Sequence, residues 1–229
     1  MKIGIVGDYN PAYPSQKATQ EALIHSASRL RTEVEMKWIA SSGAADNCPL
    51  YNGLWIAPGI PESVEGILHA IQYARERQIP LLGTCGGFQY MVMEFAKNML
   101  KLEDVGHEER NPSATNVLIN KLECSLAGKS GTIKLHHDSK VHDIYQREET
   151  TEEFRCHYGL NAAYLPALKS AGLHISGRDE QGEPRVIEWP EHPFYIGTLY
   201  VPQLRSAPDF PHCLIDAFLV QAIRLRNAN

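Results

Sequence analysis

The sequence predicts an α/β fold, a mostly parallel sheet with helices on both faces, from three observations. Short apolar runs alternate with helix-period segments through the first hundred residues, and repeated strand, helix, strand units of this length imply parallel pairing. Gly7, Gly59 and Cys85 all fall at the carboxyl ends of these runs, where ligands of such sheets sit. At 229 residues the chain suits one well-buried domain, 1–229, with a polar insertion at about 131–158.

The elements follow in order. "KIGIVGDY" is a strand ending at Gly7. "SQKATQEALIHSASRL" has helical spacing through Ala18, Ala22, Leu23, Ser26 and Leu30, with Ser15 as cap candidate. "EVEMKWIA" alternates Val34, Met36 and Trp38 as a second strand. Residues 54–57 form a third, then come a Pro/Gly loop and a helix from about Val64 to Arg77. The insertion reads as short strands and exposed loops added to the sheet. Strand candidates return at "GLHISGRD", "PRVIEWP" and "FYIGTLYV", before a closing helix from about Pro211 to Leu225.

One stretch carries chemistry. In "IPLLGTCGGFQYMVMEFAKNML" the apolar run Ile79–Leu82 is a strand, Gly83, Gly86 and Gly87 bracket Cys85, and a helix follows. This is the pattern of a nucleophile elbow, in which glycines tolerate a sharp turn and the helix N-terminus favours an anionic sulfur or oxyanion.

Composition narrows the alternatives. The formal net charge of -5 is spread along the chain, so no footprint for nucleic acid or an anionic membrane exists, and a small-molecule ligand is expected. Met1 leads directly into Ile3–Val6 without a targeting pattern, and no segment is apolar enough to cross a bilayer, so a cytoplasmic location is expected. The cysteines (Cys48, Cys85, Cys124, Cys156, Cys213) lack C-x-x-C spacing and should be mostly reduced thiols, ordinary packing residues apart from Cys85.

The stretches "KIGIVGDY", "VEMKWI", "IQYARERQIPLLGTCGGFQYMVMEFAKNML", "RCHYGLN", "AGLHISGRDE" and "EWPEHPFYIG", in this order, resemble class I glutamine amidotransferases, specifically the glutaminase domain of CTP synthases. The resemblance implies their flavodoxin-like fold, Cys85 as nucleophile and the Gly86 N–H as an oxyanion donor. It further implies that Gln89, Glu109 and Tyr158 line the substrate pocket. No ligase domain lies in this sequence, so an acceptor for released ammonia would be a separate partner enzyme; a homo-oligomer is the other association considered.

Three departures from the family pattern bear on chemistry. The family's "PGGFG" loop is here "APGIPESVEG", keeping Gly59 but placing Ile60 at the next position. The family's "RHRY" is "RCHY", and its "FHPEF" is "YVPQL", with Val201 and Gln203 in place of the basic histidine and its glutamate. The expectation is therefore a cysteine-dependent hydrolase or transferase acting on a small amide-like or nitrogen-containing metabolite, not an ordinary glutaminase. Its base would be His157, Glu62 or Glu65. The alternative is an inactive relative that binds a metabolite or partner enzyme in a regulatory role. No cofactor is expected, and His136, His137, Asp138 and His142 lack a recognised metal-ligand spacing. A turn role is expected for His192.

Overall fold

The apolar runs of the first half pair in parallel, as crossover helices require. The computed structural model describes residues 1–228. Strand β1 (Lys2–Val6) leads to α1 (Pro14–Arg29), β2 (Glu35–Ile39), a short α2 (Ala44–Asn47), β3 (Gly53–Ile56), α3 (Val64–Arg77), β4 (Leu81–Thr84) and α4 (Gly86–Met99). Next come β5 (Val105–His107), β6 (Asn116–Lys121), β7 (Ser130–Leu135), α5 (Lys140–Tyr145), β8 (Glu149–Glu153) and β9 (Tyr158–Leu160). The chain closes with α6 (Leu165–Ser170), β10 (His174–Asp179), β11 (Pro184–Glu188), β12 (Tyr195–Thr198) and α7 (Cys213–Ala228).

The main sheet runs β2-β1-β3-β4-β12-β11-β10-β7-β8, parallel from β2 to β12 and antiparallel beyond it. Every residue of β3, β4 and β12 is buried, the mark of strands covered on both faces. Helices α1 and α7 pack together, and Phe218 of α7 meets the edge of Trp55 on β3 at 6.2 Å between ring centres. Helices α3 and α4 form the other pair, joined by Arg75 and the fully buried Glu94, whose carboxylate accepts from Nε at 2.9 and 3.1 Å. Burial pushes the Glu94 carboxyl up, against the pull of Arg75.

Several boundaries differ from the sequence expectation for local reasons. Helix α1 begins at Pro14, with Tyr13 at its cap and no side-chain capping bond; a proline in the first turn starts the helix, and Ser15 lies buried inside it. Strand β4 continues past Leu82 because Gly83 and Thr84 pair with Gly197 and Thr198. The closing helix starts at Cys213, two residues after Pro211.

The insertion adds β7, α5 and β8 at one edge of the sheet. It also gathers His137, His142 and Glu148, with His137 Nε2 at 3.0 Å from the Glu148 carboxylate, a grouping the linear spacing did not reveal. A second sheet, β5-β6-β9, is built of strands too short to show a pattern; β5 and β6 flank Glu109, and β9 begins at Tyr158. No helix among the described residues is long and apolar enough to cross a membrane.

His192 locks the β11–β12 connection onto α3. Its Nδ1 accepts from the Phe194 N–H at 3.2 Å, leaving Nε2–H to donate to Ala74 O at 3.1 Å, a turn role for the neutral ring. Burial, aided by nearby Lys140 and Arg75, brings its pKa down to about 4 despite these backbone bonds. Its folded value lies below the ordinary 6.5, so the unfolded chain binds more protons between those limits. Stability from this group is therefore lost as pH falls from 6.5 towards 4. Urea unfolding across that range should show the loss, with a shallower dependence in His192→Gln; identical slopes would contradict the assignment.

Candidate active site

Strand β4 delivers Cys85 in a conformation that an L-residue rarely adopts, φ 54° and ψ −106°. Such a backbone costs about 1–3 kcal/mol and persists only where its surroundings over-determine it. Those surroundings are explicit. The Cys85 N–H donates to Thr198 O at 2.8 Å, continuing the β4–β12 ladder, while its carbonyl accepts the Gln89 N–H at 3.3 Å as the first turn of α4. A methyl group on Gly86 would overlap Gly59 O, and one on Gly87 would overlap Ile56 O, so the start of α4 lies directly on the end of β3. The sulfur thus sits at a helix N-terminus, which favours a thiolate.

Cys156 faces it. The Cys85 and Cys156 sulfurs lie in direct contact, with Cα atoms 6.1 Å apart. The segment that brings Cys156 there is tied along the end of β12: Phe154 bridges to Tyr200, the Val201 N–H donates to Glu153 O at 2.8 Å, and Cys156 Sγ is 3.2 Å from Leu199 O. Tyr145 and Tyr200 hydroxyls meet at 2.8 Å beside Glu152, anchoring this edge from below. Cys156 is therefore no ordinary packing thiol. The two cysteines are 71 positions apart, and the chain between them holds no local pattern that could have announced the pair. Cys48 and Cys213 do fit the packing reading, their thiols pushed up to about 11 by burial, and Cys124 is exposed.

The expected bases His157, Glu62 and Glu65 all lie at the surface. His157 follows Cys156 but is exposed, its Nδ1 paired with the Ser125 hydroxyl at 2.9 Å, so this segment presents Cys156 to the elbow. Glu62 is exposed and Glu65 lies at the surface in the first turn of α3, where a carboxylate favours the helix dipole. Glu62 contributes its backbone N–H, which donates to Asp8 at 2.7 Å. No hydrogen bond joins any of these three to Cys85 among the described residues.

Asp8, not singled out by any sequence pattern, organises the altered loop. It accepts the Ser41 hydroxyl at 2.6 Å and the Ser41 N–H at 3.0 Å in addition to Glu62. Burial works to raise its carboxyl, but these bonds hold it below the usual range. Gln16 supports the same loop, donating to Pro58 O at 2.9 Å, and Arg110 donates to Pro61 O. Gly59 takes φ +117° with the Gln16 amide nitrogen behind it, while Ile60 points outward, 58% exposed.

On the other side of the elbow, Gln89 is held in a buried relay. Its Nε2 donates to Tyr158 O at 2.9 Å, and its Oε1 lies 3.1 Å from His107 Nε2. His107 Nδ1 accepts the Glu109 N–H at 3.3 Å, so Nε2 carries the proton towards Gln89. Burial, with Arg110 nearby, brings His107 down to about 4 and keeps it neutral. Glu109 itself is exposed, and its charge helps raise the Tyr158 hydroxyl after partial desolvation. Gly86 and Gln89 thus lie in the first turn of α4 beside Cys85, Gly59 abuts Gly86, and Gln89 links α4 to the Tyr158 backbone, while Glu109 joins this relay only through its N–H on His107. His107 could have been noticed only from its place two residues before Glu109.

Val201 and Gln203 follow β12 into the core. Val201 is fully buried, and the Gln203 amide donates to Thr19 Oγ1 at 3.2 Å and Thr84 Oγ1 at 3.3 Å, binding the strand end to α1 and β4. In reduced protein, Cys85→Gly should exceed Cys85→Ala in unfolding free energy by about 1 kcal/mol, since glycine accepts the positive φ. Equal or lower stability of the glycine variant in urea titrations would contradict strain at this position.

Comparisons with known proteins agree with this architecture. The family model described as glutamine amidotransferase class-I matches residues 15–219. CTP synthase of Flavobacterium psychrophilum is 33% identical over 99% of this chain, and CTP synthase of Cyanothece sp. is 34% identical over 100% of it. The chain spans 45% and 44% of those relatives' lengths. Among solved structures, the glutaminase domain of Trypanosoma brucei CTPS with bound acivicin superposes with TM-score 0.90 at 22% identity, covering 97% of this chain and 94% of that one. A glutamine amidotransferase of Thermotoga maritima superposes with TM-score 0.60 at 9% identity, covering 98% of this chain and 97% of that one. The chain belongs to the class I glutamine amidotransferase family.

Proposed function

We propose that the chain is a thiol enzyme that hydrolyses or transfers the acyl group of a small amide-like or nitrogen-containing metabolite through Cys85, with an acid/base arrangement unlike that of an ordinary glutaminase. The observation that carries this reading is the strained backbone at Cys85. Strain held by Gly86, Gly87 and Thr198 around an otherwise replaceable residue has a reason if the sulfur must face a substrate.

The chemistry would proceed in two steps. The Cys85 thiolate attacks the carbonyl carbon, the carbonyl oxygen takes the displaced electron pair, and the Gly86 N–H stabilises that oxygen. The bond to nitrogen then breaks, the amine takes a proton, and water hydrolyses the thioester to regenerate the thiol. Val201 can neither accept nor return a proton, and Gln203 is committed to Thr19 and Thr84. Proton transfer therefore depends on solvent or on His157, Glu62 or Glu65 after rearrangement; His157 would first have to leave Ser125. With no fixed acid, turnover should follow leaving-group quality, so esters and activated amides exceed glutamine. A cytoplasmic setting and a partner enzyme accompany this reading.

The complete burial of Val201 favours a second reading, a regulatory protein that binds a metabolite in the pocket without turning it over. A panel of glutamine, primary amides and esters presented to the reduced protein separates the two. Saturable turnover abolished by Cys85→Ala, and fastest for the best leaving groups, supports the enzyme. Absence of Cys85-dependent turnover, with a panel member raising the melting temperature of Cys85→Ala and wild type alike, supports the binding protein.

A further inference from the structure

We propose that Cys85 and Cys156 form a dithiol/disulfide couple, oxidised by a hydroperoxide, with Cys85 the attacking thiol and Cys156 the resolving thiol. The inference shares with the proposed function the reading of Cys85 as a reactive thiol, but it does not require acyl transfer.

Position carries the argument. A Cα separation of 6.1 Å lies inside the range of about 4.4–6.8 Å that a disulfide spans, and the side chains point at each other. The two residues are not equivalent. Cys85 sits at the N-terminus of α4, where the dipole favours a thiolate, whereas Cys156 lies in the irregular link between β8 and β9 and faces Leu199 O, an acceptor for its proton when reduced. This asymmetry assigns attack to the first and resolution to the second. Both are nearly buried, at 8% and 2% exposure, so small oxidants are favoured over bulky ones. The remaining cysteines do not compete from within the site: Cys48 and Cys213 are desolvated elsewhere and Cys124 is exposed. Oxidation also makes no use of the proton relay that Val201 is unable to provide.

The reaction balances without a cofactor. The Cys85 thiolate attacks the terminal oxygen of the hydroperoxide; the O–O bond breaks, and the departing alkoxide takes a proton from solvent to leave as an alcohol. Cys85 is now a sulfenic acid. The Cys156 sulfur attacks the Cys85 sulfur, the S–O bond breaks, and hydroxide leaves as water with the Cys156 proton. Two thiols and one hydroperoxide give one disulfide, one alcohol and one water; with hydrogen peroxide itself the alcohol is a second water. A dithiol reductant restores both thiols by exchange and is itself oxidised. While the bond stands, the nucleophile is withdrawn from acyl chemistry.

The test uses the full chain, reduced with dithiothreitol, desalted, treated with equimolar hydrogen peroxide and alkylated before non-reducing peptide mass spectrometry. The expected result is a Cys85–Cys156 linked peptide lighter by two hydrogens than the separate thiols, loss of Cys85 alkylation, and reversal by dithiothreitol. In Cys156→Ser, dimedone should trap a sulfenic acid on Cys85, while Cys124→Ser should keep the linkage. A wild-type Cys85 that stays fully alkylatable, a Cys85 linked to Cys124 instead, or a Cys156→Ser variant with no sulfenic acid overturns the proposal. Linkage without any acyl turnover leaves this inference standing and removes the proposed function; Cys85-dependent turnover without linkage does the reverse.

Discussion

The positive-φ backbone at Cys85 is the constraint on which the rest of the site depends. An L-residue stays there because three neighbours leave no alternative: β12 accepts its N–H through Thr198, α4 begins at once on its carbonyl, and Gly86 and Gly87 press that helix against the ends of β3. Relaxing any of these would let the turn fall into an ordinary conformation. The parallel half of the sheet, with β4 buried between β3 and β12, supplies the stiffness that prevents it.

Around this fixed point the structure separates what is held from what is displayed. The loop from Pro58 to Glu62 is tied by Asp8, Gln16 and Arg110, and Gln89 is tied by His107 and Tyr158, so the polar groups nearest the elbow already have partners. The charged groups that could move protons, His157, Glu62 and Glu65, are displayed to solvent instead. Under the proposed acyl chemistry, such an arrangement favours substrates whose leaving group needs little help from an acid.

Much of the fold was legible because it follows from periodicity: the first four strands, the helix 64–77 and the glycine-bracketed turn at Cys85 rest on local patterns that tertiary packing reinforces. The small sheet β5-β6-β9 was not legible, because strands of three to six residues carry too little alternation. Within the site, Cys85 was readable from its glycines. The resemblance put Cys156 beside the substrate, but its pairing with the elbow was not readable, nor were the roles of Asp8 and His107, since each rests on a contact distant in sequence: Cys156 with Cys85, Asp8 with Ser41 and Glu62, His107 with Gln89. His157 drew attention by residue type, and the chain direction through Cys156 and His157 turned it outward.

Both the proposed acyl chemistry and the proposed redox couple require the elbow to keep its sulfur reactive. The rate of iodoacetamide alkylation of reduced Cys85 against pH, read by mass spectrometry with Cys85→Ala as blank, tests it most directly. The account predicts a thiolate whose pKa lies clearly below the value of about 8.5 of a free cysteine. A pKa at or above that value, or a sulfur that does not react, would contradict it.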